Sequence, residues 1–431
     1  MFLDVSVFHI LAVLALLVTA ALLSVLLFEP GLEYVVRDAL PPGDSHESRG
    51  IVSAVVDVAI MPAHSVDLLN GGSAFYAAEL EAIRTARHSI HIEAYIFRRS
   101  PIADRFLRAL EARAKEGITV RLIVDAIGSA GTPDNYFDTL RAAGGRMAWY
   151  QPIRWSTLKR WNHRTHRELL VMDGEVGFIG GAGIYDWWDE DLNGERAWRD
   201  TMVRVNGPLA SALQSAFLEN WLESTGELLV AQEDFPACRA TQERIDEGAA
   251  NGLVVASAPS AGKATRARML FQVLLATARQ SIRIHSPYFL PDRGVMRELT
   301  TAVARGVQVQ VIVPGRKNNH PIARRASRRR YLELLRGGVE IFEYQPVMMH
   351  AKLMVVDSIW SVVGSTNFDN RSFALNDEVN LALQDNVIAM EMERAFESDL
   401  ARSLKVDAAS LHRSPVERLL AFAGSLLERH Q

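Results

Sequence analysis

Apolar residues follow three rhythms along this chain. From Ile10 to Phe28 the run ILAVLALLVTAALLSVLLF carries no charge over nineteen residues. That length spans a hydrocarbon core as a helix and predicts a membrane anchor over residues 1–30. A cleaved leader would have a positive start and a shorter apolar run, whereas Asp4 is the charged side chain ahead of this one. PPGDSHESRG (41–50) is rich in turn formers and predicts a linker, assigned to residues 31–68. Beyond it, short apolar runs alternate with amphipathic stretches, and the succession occurs twice. TARHSIHIEAYIF (85–97) resembles TARQSIRIHSPYF (277–289), each a helix end leading into a strand. IADRFLRALEARAKEG and GVMRELTTAVARG follow as helices, then VRLIVDAIG (120–128) and VQVIVPG (309–315) as buried strands. Tyr150-Gln151-Pro152 recurs as Tyr344-Gln345-Pro346, and Gly-rich turns close both halves in VGFIGGAG (176–183) and WSVVGSTN (360–367).

Alternating strands and helices predict an α/β fold, a mixed sheet flanked by helices in each half. The repeat predicts two such domains, 69–247 and 248–405, related by a pseudo-two-fold axis. VERLLAFAGSLLERHQ carries Leu419, Leu420, Ala423, Leu426 and Leu427 at helical spacing, which predicts a C-terminal amphipathic helix (406–431) docked on the body.

Composition narrows the classes. With 48% apolar and 23% charged residues in 431, the chain has material for a core and is not a disordered chain. A net charge of −4 gives no global basic field, so no nucleic-acid partner is expected and any anion site is local. Cys238 is the single cysteine, which excludes an internal disulfide and a cysteine-rich metal cluster. Arg37 is the first basic side chain other than His9, so charge does not fix an orientation for the anchor. The expected location is the inner (cytoplasmic) membrane, held by a single pass, with the catalytic part on the cytoplasmic side.

The candidate chemistry sits at equivalent places in the two halves. MHAKLMVVDS (349–358) contains His350, Lys352 and Asp357; RTHRELLVMDG (164–174) keeps His166 and Asp173 but has Glu168 at the lysine position. Residues two apart on a strand share a face, so His350 and Lys352 project together. One histidine can attack phosphorus while a second protonates the leaving oxygen. A lysine beside them supplies positive charge for phosphate oxygens. A carboxylate at Glu168 would repel phosphate, so it is expected to turn to a cation, with His163, Arg164 and Arg167 near in sequence. Trp187-Trp188 either packs in a core or forms a rim facing a membrane.

These motifs, with SPYFLPDRG (286–294), VPGRKNNH (313–320), ASRRRYLELLRGGVEIFEYQP (326–346), VGSTNFDNRSFALNDEVNLAL (363–383), IEAYIF (92–97), VDAIGS (124–129) and WRDTMVRVNGP (198–208), make the chain resemble the phospholipase D superfamily. Within it the chain is most similar to the bacterial cardiolipin synthase branch, over roughly residues 69–405. The resemblance implies a phosphohistidine intermediate, without metal or cofactor. It implies His166 as nucleophile and His350 as acid, Ser365 and Asn367 as phosphate contacts, Glu378 as the carboxylate holding His350, and Asp200 as the counterpart for His166. Asp173 and Asp357 are motif residues with an expected structural role. Gly183 stands where the family has asparagine, as at Asn367. The implied function is transfer of a phosphatidyl group between phospholipids, phosphatidylglycerol giving cardiolipin and glycerol. The alternatives are a hydrolase using water, and a lipid-binding homologue impaired by Glu168.

Overall fold

The computed structural model describes residues 9, 12–19, 35–38, 40–154, 160, 162–230, 250–260 and 264–411. Most of the apolar run 10–28 and the helix expected over 406–431 lie outside these residues, apart from residues 12–19 and 406–411. Among the described residues no helix is long and apolar enough to cross a membrane. Residues 12–19 are helical, with Val13, Leu14, Leu16, Leu17 and Val18 exposed.

Two sheets carry the fold. The strands in chain order are β1 (Met61–Ala63), β2 (Ser65–Asn70), β3 (Ser89–Ala94), β4 (Thr119–Asp125), β5 (Arg146–Tyr150), β6 (Arg164–Thr165), β7 (Leu169–Met172), β8 (Val176–Gly180) and β9 (Thr201–Asn206). The second half continues with β10 (Ala250–Ser257), β11 (Ser281–His285), β12 (Gln308–Pro314), β13 (Glu340–Tyr344), β14 (Leu353–Val356), β15 (Trp360–Gly364), β16 (Asn376–Gln384) and β17 (Ser403–Lys405). One seven-stranded sheet runs β2-β9-β8-β7-β3-β4-β5. The other is ten-stranded, and its central run β10-β16-β15-β14-β11-β12-β13 has the same order. In both, the β3-β4-β5 or β11-β12-β13 steps are parallel and the others antiparallel. The predicted repeat is therefore a repeat of topology.

The apolar runs LLVM in β7 and LMVV in β14 show no alternation because both faces are covered. Leu169, Val171, Leu353 and Val355 meet in a core between the two sheets, with helices Pro208–Thr225 and Asn386–Leu400. Leu170 and Met172 face the opposite way, under helices Gly72–Thr85 and Pro101–Lys115, and Met354 and Val356 face the second half's outer helices. Local signals set the helix starts: Ser100, Thr265, Asp292 and Asp385 each cap one with a side-chain oxygen.

The expected linker 31–68 is folded from residue 46 onward. Ser45 caps a helix, His46–Val56, whose Val52 and Val56 enter the second half's outer core. β1 then pairs with β10, and β2 with β9, so this segment edges both sheets.

The motif aspartates do identical structural work at the far ends of β7 and β14. Asp173 accepts from the backbone N–H groups of Arg87, His88 and Ser89 at 2.8, 2.7 and 2.8 Å. Asp357 accepts from Arg279, Gln280 and Ser281 at 2.8, 2.7 and 2.8 Å. Both take a positive φ, 57° and 56°, which turns the carboxylate back onto the strand start of β3 or β11. Asp173→Ala or Asp357→Ala strands those donors, so each is expected to lower the free energy of urea unfolding by about 2–3 kcal/mol. A loss under about 0.5 kcal/mol, the scale of an ordinary surface change, would contradict this role.

Candidate active site

Two backbone crossings build one site from the two halves. β6 leaves its own half and pairs in parallel with β16, Arg164 opposite Asn376 and Thr165 opposite Asp377. His166 N–H then donates to Asp377 O at 2.8 Å. In the mirrored position Arg199 bridges Met349, and His350 N–H donates to Arg199 O at 2.7 Å. Each histidine thus hangs beside the acidic residue that follows its acceptor in the opposite half.

The carboxylate pairing follows from those crossings and reverses the expected one. His166 Nδ1 lies 3.1 and 3.2 Å from the oxygens of Glu378. His350 Nδ1 lies 2.9 Å from Asp200 Oδ2. Glu378 does not hold His350, and Asp200 does not serve His166, because each His strand is annexed to the other half's sheet. Both carboxylates are fully buried and further anchored. Glu378 accepts from the Ser365 hydroxyl and from Asn376 Nδ2 at 3.3 Å. Asp200 accepts from Trp188 Nε1 at 3.1 Å and Thr201 N–H at 2.8 Å. Ser365, expected at the phosphate, is tied to the acid instead. Trp188 is core, not rim.

Charge around the two rings is unequal. Lys352 Nζ is 3.1 Å from His350 Nδ1 and 3.4 Å from Gly181 O. Burial and that ammonium push His350 down to about 4, against the pull of Asp200. The ring is therefore neutral at pH 7, donating Nδ1–H to Asp200 and keeping a lone pair on Nε2. Burial would raise Asp200, but its bond to His350 and the nearby positive charge hold it below the usual carboxylate range. Burial lowers Lys352, with Asp200, Glu378 and Glu168 opposing.

Among the described residues of the first half, no lysine stands beside the ring. Glu168 is buried and accepts from Ile96 N–H at 3.1 Å. The neighbouring arginines do not offset it. Arg164 lies 3.2 Å from Asp125 and donates to the carbonyls of Tyr150 and Gln151 at 3.1 and 2.7 Å. Arg167 donates to Glu219 at 2.7 Å and to Ala216 O at 2.7 Å. Burial instead raises Glu168 well above the ordinary carboxylate value.

Beneath His166 lies a buried acidic layer whose members lie inside the quoted motifs but are not among the candidate site residues. Asp377 accepts from Tyr150 OH at 2.6 Å, Asp125 accepts from Thr165 N–H at 3.2 Å, and Glu93 accepts from Asn220 Nδ2 at 2.6 Å and from the Thr165 hydroxyl. Ser89, His91 and Glu93 alternate as a polar face would, yet all three are buried because that face meets helix Pro208–Thr225. The corresponding layer under His350 is Asp399 with Arg199 at 3.1 Å and His285 at 3.2 Å.

The rings open on a cavity of about 380 Å³. Tyr95, Trp187, Trp198 and Tyr288 supply its aromatic wall, Arg98, Glu168, Asn367, Asn319 and Arg371 its polar one. Arg98 sits 5.3 Å over the Trp187 ring, and Trp187 stacks on Trp198 at 4.3 Å. Asn367 lines the cavity, with Oδ1 free of partners among the described residues. The volume fits a phosphodiester headgroup and leaves long apolar chains outside.

The family described as "Cardiolipin synthase, PLD-like domain" matches residues 80–221 and 272–400. Cardiolipin synthase A of Pseudomonas fluorescens is 35% identical over 346 residues, 80% of this chain and 70% of its own. Cardiolipin synthase 2 of Bacillus cereus is 32% identical over 351 residues, 81% of this chain and 67% of its own. Among solved structures, phosphatidylserine synthase of Haemophilus influenzae superimposes with a TM-score of 0.69 at 16% identity, covering 90% of this chain and 100% of that one. That likeness is one of fold.

Burial raises Glu93 from 4.5 to about 7, opposed by Arg167, Asn220 and Thr165. The folded state keeps a proton there that the unfolded chain has lost. Its stabilising contribution is full below 4.5 and is lost as pH rises to about 7. Between those limits the stability of the parent relative to Glu93→Gln is expected to fall by about 3 kcal/mol, read from urea midpoints. A difference that does not vary with pH would show Glu93 ionised throughout.

Proposed function

Because the chain belongs to the phospholipase D-like family of cardiolipin synthases, we propose that this site makes cardiolipin by phosphatidyl transfer. The observation that carries the reading is the facing pair of histidines, each with Nδ1 on a buried carboxylate, at one headgroup-sized cavity. A carboxylate on Nδ1 fixes the tautomer and leaves Nε2 for the reaction.

The unequal surroundings divide the roles. His350, held neutral beside Lys352, offers a lone pair, which leaves the acid's role to His166, whose Nδ1 rests on Glu378. This reverses the division that the family resemblance implies. His350 Nε2 attacks the phosphorus of phosphatidylglycerol, the bond from phosphorus to the glycerol oxygen breaks, and His166 Nε2–H protonates the leaving glycerol. His166 then takes the proton from the hydroxyl of a second phosphatidylglycerol as that oxygen attacks phosphorus and the P–N bond breaks. Two phosphatidylglycerols become one cardiolipin and one glycerol. Asn367 lines the cavity and Lys352 brings positive charge against His350, both suited to phosphate oxygens as these gather charge. The charge-free run 10–28 supports anchoring at the inner membrane, which would bring lipid headgroups to the cavity while acyl chains stay in the bilayer.

The test uses the full chain in detergent with phosphatidylglycerol and excess EDTA. Cardiolipin and glycerol are expected in equal amounts, falling at least about 10³-fold in His350→Ala and His166→Ala. Rapid quenching with headgroup-phosphorus-labelled donor is expected to leave label on His350. Label on His166 would reverse the two roles. Phosphatidic acid in place of cardiolipin would make water the acceptor, and lipid binding with no product would make the chain an impaired homologue.

A further inference from the structure

Glu168 stands where the second half presents the ammonium of Lys352, so it holds a place that should meet substrate phosphate. An ionised carboxylate there would repel it. The surroundings are not those of an ionised carboxylate. Glu168 is 5% exposed, and its one hydrogen bond among the described residues is from Ile96 N–H to Oε1. No described cation lies within ion-pair distance of it; Arg164 and Arg167 are bound to Asp125 and Glu219. Burial favours its protonated form, with Lys352 and the Ile96 N–H opposing.

The second departure from the family, Gly183, belongs to the same change. A Cβ on Gly183 would stand 2.7 Å from the Ile96 carbonyl oxygen and 2.9 Å from Glu168 Oε1. An asparagine there would meet Ile96 first and the Glu168 carboxyl next, so glycine at 183 leaves room for the carboxyl under Ile96. Lys352 itself reaches into the first half, 3.4 Å from Gly181 O, where a Cβ on Gly181 would come within 2.8 Å of Nζ.

On the transferase reading above, we propose that Glu168 works as an un-ionised carboxylic acid whose O–H donates to a non-bridging oxygen of the bound phosphodiester. It takes over the family lysine's hydrogen bond without its charge. A neutral donor adds no second positive charge to a site that already holds the ammonium of Lys352.

The experiment compares the full chain with Glu168→Gln and Glu168→Ala on phosphatidylglycerol from neutral to alkaline pH. Glu168→Ala is expected to lose about 10²–10³-fold in kcat/KM, as for loss of an oxyanion donor. Glu168→Gln, which keeps a neutral N–H donor, is expected to lose less than about tenfold. The O–H is present below the raised pKa of Glu168 and is lost as pH rises through it. The parent's kcat/KM should therefore fall as pH rises through that value, in a step that Glu168→Gln lacks. In infrared difference spectra, adding phosphatidylglycerol should shift a protonated-carboxyl band that is missing in Glu168→Gln. Equal damage in both variants, an Ala variant as active as the parent, or no such band would overturn the proposal. A parent that shows the band shift but makes no cardiolipin would sink the transferase reading and leave the donor role of Glu168 standing.

Discussion

The active site depends on two backbone hydrogen bonds that cross between the halves: His166 N–H to Asp377 O at 2.8 Å and His350 N–H to Arg199 O at 2.7 Å. Each places a histidine one residue from the opposite half's buried acid. Neither half holds a complete histidine–carboxylate pair by itself, so neither could perform the chemistry alone. The apolar layer between the sheets, Leu169 and Val171 against Leu353 and Val355, fixes the relative placement on which both bonds rely. Core packing and catalytic geometry are here one constraint.

The repeat, the alternation of strands and helices, and the histidines were legible in the sequence because they are local: a period, a pair of similar runs, a spacing of two along a strand. Asp173 and Asp357 were legible as structural for the same reason, being fixed to backbone near the strand starts. The carboxylate pairing was not legible. His166 and Glu378 are 212 positions apart, and His350 and Asp200 are 150 apart. Which acid meets which ring is decided by where β6 crosses, and a two-residue strand has no periodicity to read. Glu93 was missed because its alternation with Ser89 and His91 mimics a solvent face. Only the packing of helix Pro208–Thr225 buries it.

The two halves share a framework and differ in the groups around their histidines. Ser365 supports Glu378 in one half, where Trp188 supports Asp200 in the other. Lys352 lies against His350, and Glu168 is tucked under Ile96 with no ion-pair partner among the described residues. A low dielectric amplifies such differences, since a charge that water would screen is felt in full at a buried ring. The altered motif RTHRELLVMDG is thus a coherent half of an asymmetric pair. Its Glu168 fits Gly183, its Asp173 still ties β3, and its His166 still faces a carboxylate.

The central claim is that each histidine is governed by the acid of the opposite half. The most direct measurement is the NMR titration of the two rings in the parent, Glu378→Gln and Asp200→Asn. Glu378→Gln should move the His166 resonances and leave those of His350 in place, and Asp200→Asn should move the His350 resonances and spare those of His166. If Glu378→Gln moved His350 instead, the carboxylates would act within their own halves and the crossed arrangement would be wrong.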